Sequence, residues 1–310
     1  MGDFNSGVWP VMLTAFTREG SIDLDGLDAL TDWYIESGVA GLFSVCLSSE
    51  MYHLTDEERI ILAERVVRRS DGRVPVVASG TFEGEVKDQA QFVKRMAETG
   101  VDGVVALVCQ LANEADNDTI WQANAEELLD TTGDIRMGLY ECPAPYHRVL
   151  SSELTAWCAS TGRFHFIKET SADVDLVKSK IEACQDSSLG IYPANEVILL
   201  SSLRSGADGY CGTMANFYPD LHAWLCHYYE DEPEAAERLQ RFLSVIKAAA
   251  AHKYSASAKR FLGMLGLPIT DVCRDKEETF RQHELVTLEN LHALVEEYRV
   301  ELGIVSPAIA

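Results

Sequence analysis

The chain has 310 residues and a net charge of −23 at neutral pH, from 49 acidic and 26 basic side chains. This charge argues against nucleic acid as a partner, because binding to phosphates needs a basic surface. It also argues against electrostatic attraction to an anionic membrane. Hydrophobic residues make up 47% of the chain and charged residues 24%, a composition typical of a globular protein.

The cysteines and the first residues predict a cytoplasmic protein. The eight cysteines show no C-x-x-C spacing. Several of them, Cys46, Cys109 and Cys211, lie in apolar runs, where a thiol behaves as a small hydrophobic group. This pattern favours a reduced protein over a disulfide scaffold. The sequence shows no signal peptide, and no apolar run approaches the roughly 18 residues of a membrane span.

Eight short apolar runs alternate along the chain with amphipathic stretches. The runs are nearly continuous, as expected of strands buried on both faces of a parallel sheet. We predict strands at 8–16, 42–47, 74–78, 104–109, 135–140, 164–168, 189–192 and 209–212. Between and after them we predict helices at 24–37, 55–70, 84–99, 117–131, 152–161, 172–184, 196–205 and 219–230.

One helix-to-strand joint occurs three times, at 37–43, 99–105 and 205–211. Its first glycine suits a left-handed helix C-cap, and its second suits a tight entry into a strand. Eight strand–helix units, each of about thirty residues, predict an α/β fold of the (β/α)₈ TIM-barrel type. A doubly wound open sheet is the alternative, but the sequence contains no G-x-G-x-x-G phosphate loop.

After the eighth helix the pattern changes. The remaining residues contain helical segments, broken at 266–268 by Gly-Leu-Pro, and no convincing strand. We therefore predict a catalytic barrel domain at 1–231 and a C-terminal helical extension at 232–310.

Two neighbouring predicted strands end in residues suited to carbonyl chemistry. A barrel of this type carries its active site at the C-terminal ends of the strands. Lys168 ends the sixth strand and shares a face with Phe164 and Phe166. A lysine amine removed from water has a lowered pKa and attacks carbonyls to form a Schiff base. Tyr140 ends the fifth strand, about 4.8 Å away, where its hydroxyl is placed to relay protons. The alternative is a lysine that reaches solvent beside a core tyrosine.

These motifs resemble a known family. Tyr140-x-x-Pro143, and Ile167-Lys168-Glu169-Thr170 one strand later, resemble the dihydrodipicolinate synthase/N-acetylneuraminate lyase family of class I aldolases. The resemblance extends from 9–16 through 44–55 to the helical extension. It implies that Lys168 forms an imine with a 2-oxo acid, usually pyruvate, that Tyr140 relays protons, and that the loop at 46–50 holds the substrate carboxylate. A covalent imine needs neither an external cofactor nor a metal.

Further residues are candidates for the site. Ser48 is a candidate for both catalysis and substrate binding, because it keeps a hydroxyl at the family's second threonine. Serine hydroxyls and loop amides bind carboxylates. The other substrate-binding candidates are Ser49, His53, Arg148, Asn195 and Gly212. Two of these have equally good structural interpretations, because Asn195 suits a helix N-cap and His53 a locally bonded loop histidine.

Three departures from the synthase pattern bear on the reaction. Leu47 replaces the first threonine, no tyrosine pair follows the fourth strand, and Pro145 stands where the synthases place a carboxylate-binding arginine. We therefore predict a Schiff-base lyase, an aldolase or dehydratase, that acts on a 2-oxo or 2-oxo-3-deoxy acid. Pyruvate is the expected product or co-substrate. The alternatives are a dihydrodipicolinate synthase-like condensation and a non-catalytic 2-oxo-acid sensor.

The expected partners are the small 2-oxo acid and other copies of the chain. The resemblance implies a homotetramer or homodimer. However, this chain lacks the tyrosine pair that the synthases contribute across a subunit interface. Neither nucleic acid nor a membrane is expected as a partner.

Overall fold

Eight parallel strands close into a TIM barrel, as the sequence predicts. The structure is a computed structural model and describes residues 4–306. Six strands pair in the order β2 to β7, and β1 pairs with β8. Hydrogen bonds from Phe43 N to Pro10 O and from Cys211 N to Pro193 O, both 3.0 Å, close the two remaining seams. The strands are β1 (Gly7–Val8), β2 (Leu42–Val45), β3 (Val76–Ser79), β4 (Gly103–Leu107), β5 (Met137–Tyr140), β6 (Phe164–Glu169), β7 (Gly190–Pro193) and β8 (Gly209–Tyr210).

Helices follow the strands in the predicted alternation. The first strand is shorter than predicted, because only an isolated bridge between Val11 and Phe43 continues the pairing beyond Val8. The barrel helices are α1 (Leu24–Glu36), α2 (Asp56–Ser70), α3 (Val86–Glu98), α4 (Asp118–Thr132), α5 (Ser152–Ser160), α6 (Val174–Ala183), α7 (Leu199–Arg204) and α8 (Pro219–Tyr228). Three further helices follow: α9 (Pro233–Ala250), α10 (Ala256–Leu265) and α11 (Gln282–Leu302). Within residues 4–306, no helix is long and apolar enough to cross a bilayer.

The two glycines of the repeated joint have different physical roles. Gly38 has a φ of +79°, the left-handed conformation expected at a helix C-cap. At Gly41, a Cβ atom would lie 2.4 Å from the Trp9 ring. The second glycine of this joint is therefore explained by the close approach of an aromatic ring.

Aromatic side chains fill the barrel below the strand ends. The Phe166 ring stacks on Tyr192 with centroids 4.6 Å apart, and Trp9 lies 5.3 Å from Phe166 on another side. Phe43 contacts both Phe166 and Tyr140 edge to face. Because Lys168 lies two residues after Phe166 on the same strand face, this aromatic layer is the floor beneath its amine.

A buried ion pair joins the C-terminal helices to the barrel. Lys259 of α10 and Glu50, in the loop after β2, are both buried, and Nζ lies 2.6 Å from Oε1. The other Glu50 oxygen accepts hydrogen bonds from the backbone amides of Arg274 and Asp275. Two parts of the C-terminal segment thus converge on one carboxylate at the C-terminal end of the barrel.

Replacing Lys259 should strongly destabilise the protein. Lys259→Met leaves the Glu50 carboxylate buried without its cation, so we expect a loss of about 3–5 kcal/mol in the free energy of unfolding. Urea denaturation followed by circular dichroism measures this loss. The control is Arg260→Met, one residue along, because Arg260 is exposed and its ion pair to Asp271 spans 3.8 Å. Equal denaturation midpoints for the two variants would contradict a stabilising role for the Lys259–Glu50 ion pair.

Candidate functional site

A cavity of about 530 Å³ opens at the C-terminal ends of the strands. Residues from the barrel loops and from the C-terminal segment form its wall. The lining residues are Leu47, Ser48, Glu50, Tyr52, His53, Tyr140, Pro143, His147, Lys168, Thr170, Ala194, Thr213, Tyr254, Ser255 and Asp275.

Lys168 and Tyr140 meet in this cavity. They are register partners in the pairing of β5 with β6, and Lys168 Nζ lies 4.1 Å from the centroid of the Tyr140 ring. Both side chains are more than 95% buried. Burial raises the pKa of Tyr140 well above its ordinary value, so its hydroxyl keeps its proton at neutral pH.

Lys168 differs from the other buried lysines in what faces its amine. Lys180 and Lys259 are fully buried and ion-paired to carboxylates at 2.6–2.9 Å. In the described part of the chain, no carboxylate oxygen lies within 4.0 Å of Lys168 Nζ. Its amine faces an aromatic ring and the cavity instead.

The two residues that follow Tyr140 and Lys168 point away from the cavity. Glu141 and Glu169 both bind Lys180 Nζ, at 2.6 and 2.9 Å. Glu141 also accepts hydrogen bonds from the amides of Leu150 and Thr170. Strand alternation therefore turns the carboxylates outward and the Lys168–Tyr140 pair inward. Glu141 therefore has a structural role.

The Cys142 thiol lies between Tyr140 and a second thiol, Cys109. Cys142 shares hydrogen bonds with Tyr140 and with Cys109, and the Cys109 thiol lies 3.1 Å from the Ala144 carbonyl. The hydrogen bond with Cys109 lowers the pKa of Cys142 to about 7. In the sequence, Cys109 is indistinguishable from a small hydrophobic residue, because its polar neighbours come from the next strand's loop.

In the loop after β2, one serine side chain faces the cavity and the other forms hydrogen bonds within the loop. Ser48 lines the cavity, and its Oγ accepts a 2.7 Å hydrogen bond from the Tyr254 hydroxyl. Ser49 is fully buried, and its Oγ accepts from Cys46 N and donates to Cys46 O. The structure therefore places the Ser49 side chain inside the turn and not in the cavity.

Of the remaining sequence candidates, only His53 lines the cavity, at its exposed mouth. Asn195 caps a short 3₁₀ helix by accepting from Val197 N. Arg148 pairs with Asp118 of α4. At Gly212, a Cβ would lie 2.4 Å from the Ala194 carbonyl and closer still to Tyr210, so strand packing explains this glycine. The structure thus gives these three residues structural contacts outside the cavity.

Several cavity residues are not among the candidates from the sequence. His147 Nε2 lies 2.8 Å from the Thr170 hydroxyl, and both line the cavity. Tyr254 comes from the segment before α10, more than eighty residues after Lys168. Its position could be found only by knowing how the C-terminal helices pack on the barrel.

Glu50 and Asp275 line the cavity and lie close to Cys273, and these three residues are of the types that bind metals. Both Glu50 oxygens already accept hydrogen bonds, from Lys259 and from two backbone amides. This group therefore offers no free Glu50 oxygen to a cation.

The comparisons with known proteins identify the family. Residues 4–293 match the model of the dihydrodipicolinate synthetase family, so the chain belongs to that family. It is therefore an enzyme of the class I aldolase type, a lyase.

Among curated relatives, the 4-hydroxy-tetrahydrodipicolinate synthase of Oceanobacillus iheyensis is 28% identical, over 86% of this chain and 89% of the relative. The Bacillus subtilis synthase is 27% identical, over 84% and 89%. Among solved structures, a prophage protein of the same family from E. coli K12, in complex with pyruvate, superposes with a TM-score of 0.84 at 22% identity. That match covers 94% of this chain and 98% of the other.

Replacing Lys180 should destabilise the protein in a pH-dependent way. Lys180→Met leaves Glu141 and Glu169 without a cation, so we expect a loss of about 3–5 kcal/mol at pH 7.5. Burial already raises the pKa of Glu141, and loss of the lysine raises it further. A raised carboxyl pKa favours the folded state at low pH and loses that effect as the pH rises. The deficit should therefore be smaller at pH 5.

Urea midpoints at pH 5 and 7.5 measure this effect. Lys178→Met, on the same helix, is the control, because Lys178 is exposed and pairs only with Glu182 at 4.0 Å. A deficit that stays constant between the two pH values would contradict the proposed role of the carboxylates.

Proposed function

We propose that this protein is a Schiff-base-forming lyase that acts on a 2-oxo or 2-oxo-3-deoxy acid, with pyruvate as product or co-substrate. The observation that carries the proposal is the buried Lys168 amine, which faces a cavity and has no carboxylate within 4.0 Å in residues 4–306. An amine in such surroundings is a nucleophile toward carbonyls. Neither Lys180 nor Lys259 has this freedom.

The proposed chemistry begins when Lys168 Nζ attacks the substrate's C2 carbonyl. The carbonyl oxygen leaves as water, and a protonated imine remains. In an aldolase, the C4 hydroxyl loses its proton, the C3–C4 bond breaks, an aldehyde leaves and the bonding pair enters the imine to give an enamine. In a dehydratase, loss of a proton from C3 sends the C–H pair into the imine, and the resulting enamine expels the protonated C4 hydroxyl as water. In aldol cleavage, protonation at C3 and hydrolysis then release pyruvate and free Lys168. We assign the proton transfers to Tyr140, whose protonated hydroxyl lies beside the amine.

The cavity has room for a substrate larger than pyruvate. Its volume of about 530 Å³ lies within the range typical of small-molecule sites, about 300–1,000 Å³. We assign the substrate carboxylate to Ser48 and its loop, and the more distant hydroxyl groups to His53 and to the His147–Thr170 pair. The imine is covalent, so the proposed reaction needs neither an external cofactor nor a metal.

Two alternatives remain to be tested. The curated relatives carry the synthase name, which favours a condensation. However, Leu47 lacks the hydroxyl of the synthases' first threonine. Arg148 forms an ion pair with Asp118 and so does not take the place of the synthases' carboxylate-binding arginine. A non-catalytic 2-oxo-acid sensor would retain the pocket without turnover.

We also propose a cytoplasmic homotetramer or homodimer. All eight cysteines are free thiols and six of them are buried, which suits a reducing compartment. Light scattering of the purified protein measures its mass in solution.

Trapping the imine tests the proposal directly. The protein is incubated with borohydride and each of a panel of 2-oxo acids, including pyruvate, and the modified peptide is identified by mass spectrometry. We expect an adduct on the peptide that contains Lys168, and none in Lys168→Ala. Pyruvate release from 2-oxo-3-deoxy sugar acids then identifies the substrate. An adduct without turnover of any acid would favour the sensor, and no adduct with any acid would exclude the Schiff base.

Removing the Tyr140 hydroxyl should slow turnover while imine formation persists. For Tyr140→Phe we expect kcat to fall by about 10²–10⁴-fold, the usual contribution of a general acid–base group. Steady-state release of pyruvate measures kcat. Tyr146→Phe is the matched control, because the Tyr146 hydroxyl binds the Ala112 carbonyl outside this cavity. Equal kcat values for the two variants would rule out Tyr140 as the relay.

A further inference from the structure

A chain of hydrogen bonds runs from the buried side chain of Tyr34, on helix α1, to Ser48 in the cavity. The Tyr34 hydroxyl donates to Asn216 Oδ1 at 2.5 Å. Asn216 Nδ2 lies 2.5 Å from the Tyr254 hydroxyl and 2.9 Å from the carbonyl oxygen of Val11. The Tyr254 hydroxyl lies 2.7 Å from Ser48 Oγ. The barrel and the C-terminal extension both contribute to this chain.

The Val11 carbonyl determines which group donates and which accepts in each of these hydrogen bonds. A carbonyl oxygen only accepts hydrogen bonds, so the Asn216 amide must turn its nitrogen toward Val11. That nitrogen then donates its second hydrogen to the Tyr254 hydroxyl. Burial raises the pKa of Tyr254, so the hydroxyl keeps its proton and donates it to Ser48 Oγ.

Ser48 is consequently an acceptor on one side and a donor on the other. Its Oγ accepts from Tyr254, which leaves its own hydrogen directed to another acceptor. The neighbouring residues cannot substitute for it, because Leu47 has no hydroxyl and Ser49 uses its hydroxyl on Cys46. Among the side chains of the turn Leu47–Ser49, only Ser48 therefore offers a hydroxyl to the cavity.

We propose that Tyr254 is a positioning residue that orients Ser48 as a hydrogen-bond donor to the carboxylate of the bound 2-oxo acid. This inference rests on the proposed function and extends it to the C-terminal segment. Hydrogen bonds to a charged group are stronger than those between neutral groups, so a fixed donor raises affinity for an acid in particular. Tyr254 acts through Ser48 and has no role in the reacting bonds.

The experiment measures how the rate of adduct formation on Lys168 depends on pyruvate concentration, in the presence of borohydride. The variants are Tyr254→Phe, Ser48→Ala and the double variant. We expect the half-saturating pyruvate concentration to rise about tenfold in Tyr254→Phe, as for one weakened hydrogen bond to a charged group. The adduct yield at saturation should stay at the wild-type level. Tyr229→Phe, which loses a hydroxyl bonded to Leu203 on another face, is the control.

A double-mutant cycle separates positioning from general destabilisation. If Tyr254 acts through Ser48, then Tyr254→Phe adds no further change in a Ser48→Ala background. Independent, multiplying effects would overturn the proposal, as would an unchanged half-saturation in Tyr254→Phe while wild-type protein forms the adduct. Absence of any adduct in the wild type is a distinct result, which overturns the proposed function and this role together. Urea midpoints confirm that each variant is folded.

Discussion

A buried lysine amine without a carboxylate beside it is the constraint on which this structure depends. Burial of a charged amine is costly, and proteins usually compensate it with a carboxylate. The barrel follows this rule at Lys180 and Lys259 and departs from it at Lys168. In place of a carboxylate, Lys168 has the face of Tyr140 and an open cavity. The face of an aromatic ring attracts a lysine amine without placing a carboxylate beside it.

The alternation of strand side chains makes this arrangement possible. Lys168 and Tyr140 point inward above the aromatic floor, while the next residues, Glu169 and Glu141, point outward to Lys180. Acidic and basic groups adjacent in sequence are therefore separated by the sheet. Outside the barrel, the ion pairs of Lys180 with Glu141 and Glu169 hold the ends of β5 and β6 together. Inside the barrel, the Lys168 amine does not contact these carboxylates.

The barrel could be predicted from the sequence because apolar periodicity and the glycines at helix-to-strand joints are local signals. The position of Lys168, Tyr140 and Ser48 at one cavity could be predicted for the same reason, since each lies at or just after a strand end. Asn195 and Arg148 have polar side chains in suitable positions, but local capping and an ion pair with α4 occupy them. Tyr254 could not be predicted, because its contact with Ser48 depends on how distant helices pack.

The C-terminal segment thus contributes residues to the cavity. Lys259 and Tyr254 of this segment contact two residues of one loop, Glu50 and Ser48. We propose that Lys168, alone among the buried lysines of residues 4–306, is free to bond a 2-oxo acid. A crystal structure of the protein soaked with pyruvate tests this proposal most directly. We expect continuous density from Lys168 Nζ to C2 of pyruvate, with the carboxylate at Ser48. Pyruvate bound without that bond, or bonded to another lysine, would contradict it.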